Sequence, residues 1–410
     1  MAVPRRILIL GLNYAPELVG IGPYTAGLAE ALAGRGHEIQ AVAGQPYYPE
    51  WQADPRYHAP WRPVVENGVT ITRRPHYIPG NPTGAKRMAH HLSFASSAYP
   101  AARRIMRRMR PELVLTVVPS MIAAPVALRM ARKAGIPLWM HVQDFEVGAA
   151  LATGLLDAEG RAAIAANRFE RKMLRSADIV SSISTPMCER LADKGVPAGR
   201  IVEINNWANH AGAIETADGE RLRREWGLGG RTVALYSGNI GNKQGLDVVI
   251  EAARAMVGRD DVVFVIAGEG PSRAAIEKRA EGLPNVLFRG LVPDAEVGDL
   301  LTMADIHLLP QLPDAADLVL PSKLGNMLAS GKPVVATVRP GTGIAREIVD
   351  CGIVVPPQKP EAIVSAVSAL ADHPGYRETM GRAARLRAAT AWDKERVIDR
   401  FEDTLERVLG

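Results

Sequence analysis

Asp317–Gly343, DLVLPSKLGNMLASGKPVVATVRPGTG, is the stretch whose reading decides the fold. It opens with a loop ending in Pro321-Ser322-Lys323 and continues in an apolar run at helical spacing, Leu324, Met327 and Leu328. After a turn at Ser330-Gly331, Pro333–Ala336 reads as a buried strand, and Pro340-Gly341-Thr342-Gly343 forms a second glycine loop. Loop, short helix, short strand and loop make one α/β unit whose two loops face one crevice. Open parallel sheets bind ligands just past the carboxyl ends of their strands, and a helix start presents free N–H groups to an anion. Pro321, Ser322 and Lys323 are therefore expected to meet the phosphates of a nucleotide diphosphate.

The pattern repeats outward. Thr232–Ser237 reads as a strand and Gly238–Gly245, GNIGNKQG, as a glycine loop carrying Lys243 ahead of a helix over Leu246–Met256, an arrangement suited to an anion. Val262–Ala267 is the next strand, closed by Gly268-Glu269-Gly270-Pro271, and the strands Val286–Arg289 and Ile306–Pro310 follow. In the first half, RRILILGL over residues 5–12 reads as a strand. The loop after it, with Gly20 and Gly22, either lets a substrate approach the backbone or simply makes a tight connection. Its spacing is not that of a dinucleotide fingerprint. Residues 44–85 are irregular and rich in Tyr and Trp, with a short strand at Val69–Arg73. Strands at Leu113–Pro119 and Pro137–His141 lead to HVQDFE, which sets His141, Asp144 and Glu146 at a strand end, where reacting groups belong in such sheets. A helix over Gly160–Arg175 and a strand over Ala177–Ser182 complete this half.

The chain has 410 residues, 47% apolar and 23% charged, which suits two soluble domains rather than one. A polar, glycine-containing segment near 208–228 marks the boundary, giving domains over 1–208 and 209–390, with a helix over 391–410 expected to return to the first. Two cysteines, Cys188 and Cys351, rule out a disulfide framework and fit a cytoplasmic setting. The early apolar run Ile7–Leu10 is too short for a signal peptide, and no stretch approaches a membrane span. The net charge is +5, concentrated in Lys86, Arg87, His90 and His91 and in Arg103, Arg104, Arg107, Arg108 and Arg110. The last group lies on one helix surface, either a solvated face or a peripheral attachment to anionic lipid. Aromatic residues are not interleaved with these charges, which argues against nucleic acid.

In order and spacing these loops resemble the GT-B retaining glycosyltransferases of family four. The shared features are the opening pattern from Tyr14 to Glu38, the phosphate loop Gly238–Gly245, the turn Ala267–Pro271, Asn285–Gly290 through Ala304-Asp305, and Pro321–Ala336. YSGNIGNKQGLD, HVQDFE and LPSKLGNMLASGKPVVAT look most like the colanic-acid-type branch of bacterial exopolysaccharide assembly. The resemblance implies two Rossmann-like domains facing a cleft. A nucleotide-sugar donor, GDP-linked in preference to UDP-linked, would sit on the second domain. A glycan or polyprenyl-diphosphate-linked acceptor would sit on the first. It implies no metal and no cofactor, with Lys243 and Lys323 stabilising the leaving diphosphate and His141 near the reacting carbon. Donor contacts fall on Gly238, Asn239, Gly241, Gly268, Gly270, Pro321, Ser322, Asn326 and Asp317, and acceptor contacts on Gly20, Gly22 and Asp144.

Two departures accompany the likeness. The family's usual glutamate pair falls at Leu318 and Asn326; Asn326 keeps hydrogen-bonding capacity for a ribose, and Asp317 stands one position from the first. The usual arginine of the phosphate loop is Asn239. A nucleotide-sugar epimerase, which shares the fold and would use His141, Asp144 and Glu146 as acid and base, is the competing class.

Overall fold

The computed structural model describes residues 3–17, 20–57, 61–148, 157, 160–241, 244–313 and 320–410. The chain divides into two compact units, Met1–Asn205 with Val397–Gly410, and Asn206–Arg396.

The first unit is built on β1 (Arg6–Gly11), β2 (Glu38–Gly44), β3 (Val64–Glu66), β4 (Val69–Arg74), β5 (Leu113–Val118), β6 (Leu138–Val142), β7 (Ile179–Ser182) and β8 (Ile201–Glu203). Among the described residues they form one sheet in the order β3-β4-β2-β1-β5-β6-β7-β8, parallel except for β3, which runs antiparallel to β4. β1 is central: Ile9 pairs with Ala41 on one side and Leu115 on the other. Every residue of β5 is buried, as a continuous apolar run must be when helices cover both faces of a parallel sheet. The edge strand β3 was not expected; its Val64 and Val65 are exposed.

The terminal helix Lys394–Leu409 carries Val397, Ile398, Phe401 and Leu405 on its buried side. Phe401 stacks on Trp139 of β6, with ring centroids 4.2 Å apart. Glu402 pairs with Arg35 and His37, and Glu406 with Arg5. Apolar stacking and a charged rim thus fasten this helix to the sheet.

The second unit contains β9 (Thr232–Ser237), β10 (Val262–Ala267), β11 (Val286–Arg289), β12 (Ile306–Pro310), β13 (Val334–Thr337) and β14 (Gly352–Val355). Its parallel sheet has the order β11-β10-β9-β12-β13-β14. The chain progresses in one direction from β9 and in the other from β12, so the order reverses between them. Such a switch point leaves a crevice beyond the strand ends.

The helix Lys323–Ala329 stops at Gly331, which adopts φ +69°, a conformation glycine enters at little cost. Behind it Gly325 meets Trp392, where an added Cβ would lie 2.3 Å from Cε3. Trp392 is held by its Nε1 donating to Glu347 at 2.9 Å. The helical tail breaks at His373 and Trp392 into Pro360–Asp372, Pro374–Ala391 and Lys394–Leu409.

The helix Gly84–Arg108 exposes Arg103, Arg104, Arg107 and Arg108, as their spacing required. His90 and His91 need correcting as surface charge. His90 is fully buried against Tyr47 and His76, with ring centroids 4.7 and 4.8 Å away, and burial lowers its pKa. His91 is turned inward to Glu146 and burial pushes it down to about 3. Neither contributes positive charge at neutral pH. Among the described residues no helix is long and apolar enough to cross a membrane.

Candidate active site

At the switch point of the second unit, two glycine loops lie backbone against backbone. After β9 the chain turns through Gly238, at φ +130°, and after β10 through Gly268, at φ +146°. A Cβ on Gly268 would stand 1.9 Å from the Gly238 carbonyl oxygen, and one on Gly270 2.4 Å from that of Ile240. No side chain fits either place. The absence of one lets Gly238 N–H donate to Ala267 O at 2.9 Å, Ile240 N–H to Glu269 O at 2.8 Å, and Ser272 N–H to Ile240 O at 3.0 Å. Arg273 secures the second loop from behind, donating to the carbonyls of Gly268 and Arg289 and to Glu269.

Lys323, the first residue of its helix, reaches from the β12 side toward this loop pair. Its Nζ lies 3.5 Å from the Ser237 carbonyl and 4.2 Å from the centroid of the Tyr236 ring. A Cβ on Gly238 would be 3.7 Å from the same nitrogen. Burial pushes the ammonium down to about 7, although the residue keeps part of its surface open to solvent. Among the described residues no carboxylate pairs with it. A desolvated cation beside a glycine loop at a strand-end crevice is suited to receive an anion.

Pro321 and Ser322 precede Lys323, and Pro321 O accepts from Leu324 N. Asn239 and Gly241 sit together, a Cβ on Gly241 lying 3.1 Å from Asn239 Nδ2. Asn326 is buried away from the loop pair. Its Nδ2 donates to Asn209 Oδ1 at 3.0 Å and its Oδ1 accepts from His210 N at 3.1 Å. Thr342 caps the helix Gly343–Glu347, its Oγ1 accepting from Ala345 N. Lys243, Asp317 and Leu318 lie outside the described residues.

In the first unit His141 is the penultimate residue of β6 and is buried. Gln143 Nε2 donates to its Nε2 at 3.0 Å, so the ring proton sits on Nδ1 and is donated to Ser181 Oγ at 2.8 Å. Trp139 Nε1 donates to the same hydroxyl at 2.7 Å. Burial lowers the imidazole to about 4, which keeps it neutral. His141 therefore bonds to Ser181 and Gln143 rather than to the acids that follow it in sequence. Glu146 accepts from Met121 N at 3.0 Å and faces His91 Nε2 at 3.2 Å. Burial raises it to about 8, with Asp144 adding repulsion, so it is a neutral acid at pH 7.

Sequence reasoning passed over Glu17. It is buried in the first loop and accepts from the amides of Tyr47 and Tyr48, each at 3.2 Å, and from Asn13 Nδ2 at 2.9 Å. Burial raises it to about 7. Gly22 abuts it, a Cβ there meeting the Glu17 side chain at 3.0 Å, and Gly20, at φ +75°, packs on Tyr48. The two glycines thus fit the loop around Glu17. The only advance sign was a carboxylate directly after Pro16 in an otherwise apolar loop.

Residues 19–207 match the family described as Glycosyl transferase 4-like domain, and residues 231–373 match Glycosyl transferases group 1. The chain is 39% identical over 409 residues to the putative colanic acid biosynthesis glycosyl transferase WcaI of Escherichia coli, covering 97% of this chain and 98% of that one. It is 26% identical over 349 residues to a GDP-mannose-dependent alpha-mannosyltransferase of Mycolicibacterium smegmatis, covering 84% of this chain and 82% of that one. Among solved structures, sucrose-phosphate synthase from Thermosynechococcus elongatus superposes with a TM-score of 0.77 at 16% identity, covering 98% of each chain. The chain belongs to the family-four glycosyltransferases of GT-B fold. It is a transferase, and the epimerase alternative gains no support from these likenesses.

Replacing Gly268 by Ala forces a Cβ into the Gly238 carbonyl. A loss of about 1–3 kcal/mol is expected in denaturant unfolding, the usual cost of overpacking. Wild-type stability in that variant would show that the loops do not approach as described.

Proposed function

We propose that the protein moves a hexosyl group, with retention at the anomeric carbon, from a nucleotide-diphosphate sugar on the second unit to a glycan hydroxyl on the first, in exopolysaccharide assembly. The observation that carries this is Lys323, a half-buried lysine without an acid partner among the described residues, placed beside the two-glycine loop pair at the β9/β12 switch point. Gly238, Asn239, Gly241, Gly268 and Gly270 form the surface for the diphosphate, and Pro321 and Ser322 border it. The bond between the anomeric carbon and the phosphate oxygen breaks, leaving its electron pair on the diphosphate. The acceptor oxygen bonds the same carbon on the same face, and its proton passes to a phosphate oxygen. Lys323 stabilises the charge that develops on the leaving group, a task for which fixed positive groups are effective because they need no rearrangement. Lys243, two positions after Gly241 in sequence, is assigned the same task.

His141, neutral and held by two hydrogen bonds, offers a fixed polar edge that orients the sugar's reacting carbon or the incoming hydroxyl. Gly20, Gly22 and Asp144 border the acceptor. The colanic acid relative supports the exopolysaccharide setting, and the GDP-mannose-dependent relative supports a GDP-linked donor over a UDP-linked one. Asn326 and Asp317 are assigned to the nucleoside; for Asn326 this requires its amide to exchange Asn209 and His210 for ribose hydroxyls.

The acceptor is proposed to be carried on polyprenyl diphosphate, with the protein held peripherally at the cytoplasmic face of a membrane. Arg103, Arg104, Arg107 and Arg108 are exposed on one helix, and Arg129 and Lys133 of the next helix lie near its Tyr99. Exposed Met88 and Leu92 on the first of these helices supply apolar contact. Each basic group near an anionic surface contributes about 1 kcal/mol.

Two outcomes are expected. In a thermal-shift comparison of GDP-, UDP- and dTDP-sugars, a GDP-sugar at a hundredfold excess over Kd raises Tm by roughly 5–10 °C, and Lys323→Ala abolishes that shift and lowers transfer by roughly 10²–10³-fold. A Lys323→Ala protein with full transfer activity contradicts the assignment. In vesicle sedimentation, the wild type pellets with phosphatidylglycerol vesicles but not with phosphatidylcholine. A variant with glutamate at positions 103, 104, 107 and 108 stays in the supernatant with unchanged Tm. Equal binding by both proteins removes the membrane role from this helix.

A further inference from the structure

One large buried side chain beside the 238–241 loop takes no part in the transfer chemistry itself. Tyr236 is the penultimate residue of β9 and is fully buried. It packs in the apolar core with Ala234 and Ile240, and a phenylalanine would fill that volume equally well. The tyrosine makes two further contacts, each to a different part of the donor site. Its hydroxyl donates to the Asn239 carbonyl at 2.5 Å, and its ring carries the Lys323 ammonium 4.2 Å from the centroid.

We propose that Tyr236 is the positioning residue of the donor site: its ring seats the Lys323 ammonium while its hydroxyl fixes the turn of the 238–241 loop, so one rigid side chain sets the spacing between the two groups that receive the diphosphate. This rests on the donor being bound at that loop.

The physical need for such a support is plain in the surroundings of Lys323. A lysine stem has four rotatable bonds and holds no geometry of its own. The Ser237 carbonyl approaches Nζ only at 3.5 Å. Other titratable groups near it offer no counter-charge: His307 of β12 is neutral, pushed down to about 3 by burial and by the positive charges of Lys332 and Lys323. Its Nε2 bonds Ser330 Oγ at 2.9 Å. Among the described residues no carboxylate faces the ammonium. The negative face of an aromatic ring attracts a desolvated cation directly, and here it does so without the neutralisation an acid would bring. While it is protonated, the ammonium therefore has its charge uncompensated and available for a ligand. The hydroxyl works on the other component. By engaging the Asn239 carbonyl it fixes the peptide plane between Asn239 and Ile240, whose amide donates to Glu269. The loop is thus pinned from below by Tyr236 and from the side by the second glycine loop.

A phosphate beside Lys323 favours the charged form. Affinity is therefore highest at pH values below the lysine's lowered pKa of about 7 and falls as pH rises through it. Loss of the ring removes a stabiliser of the charged form, which lowers that pKa further and moves the fall in affinity to more acid pH.

The experiment is calorimetric titration of the full-length protein with GDP-mannose, and with UDP-glucose in parallel, from pH 5.5 to 9. Neither sugar nucleotide has a phosphate that titrates in that range. Wild type, Tyr236→Phe, Tyr236→Leu and Lys323→Met are compared. Tyr236→Phe is expected to bind about fivefold more weakly, the loss of one hydrogen bond, with the wild-type pH midpoint. Tyr236→Leu is expected to bind more than tenfold more weakly, with its midpoint displaced to lower pH. Lys323→Met is expected to lose the pH dependence. A purely structural tyrosine would lower Tm in both variants while folded protein bound the donor with wild-type affinity and midpoint; that result overturns the proposal. Should Tyr236→Leu fail to fold, Tyr236→Phe with wild-type affinity overturns it alone. If Lys323→Met binds as wild type, or the wild type binds neither nucleotide sugar, the donor assignment itself fails and takes the positioning role with it. Impaired Lys323→Met beside an unaffected Tyr236→Leu sinks only the latter.

Discussion

The Gly268 α-carbon and the Gly238 carbonyl approach so closely that no side chain fits between them, and the packing of the two glycine loops of the second unit depends on that contact. It joins the ends of β9 and β10 through amide–carbonyl bonds that a side chain would prevent. With the loops locked together, the turn after β9 has one shape. Lys323, arriving from the far side of the switch point, then meets a surface whose geometry is already set. Preorganisation of this kind matters because a leaving diphosphate gains most from positive groups that need not move when charge appears.

The two units differ in how they treat ionisable groups. In the second, Lys323 is desolvated and lies beside an aromatic ring, with no acid partner among the described residues. In the first, burial keeps three groups in and near the end of β6 neutral: His141 and His91 lose their protons and Glu146 keeps its own. Neutral hydrogen-bonding groups at the strand ends suit a hydroxyl-bearing acceptor better than a charged one, because an uncharged hydroxyl gives little back for the desolvation of an ion.

Much of this was legible in the sequence. Apolar runs of five or six residues alternating with helical spacing and glycine turns leave few options but two parallel sheets, and the glycines at 238 and 268 were readable as loop positions. What escaped had physical reasons. His90 was counted as surface charge beside Lys86 and Arg87, yet it shares the four-residue spacing of Phe94 and Ala98, the buried stripe of its helix; sequence charge alone does not say which face a histidine takes. The partners of Asn326, Asn209 and His210, are over a hundred positions away, and local sequence cannot report a loop folding back from that distance. Tyr236 looks like any aromatic in a buried strand; its two polar contacts exist only once β9, the loop and Lys323 are assembled.

The most direct measurement is a crystal structure of the protein with whichever nucleotide sugar binds it. The expected result places a β-phosphate oxygen about 2.7–2.9 Å from Lys323 Nζ, with the ammonium still over the Tyr236 ring and the diphosphate against the 238–241 loop. A nucleotide sugar bound with Lys323 turned away, or seated outside the β9/β12 switch point, would contradict the account.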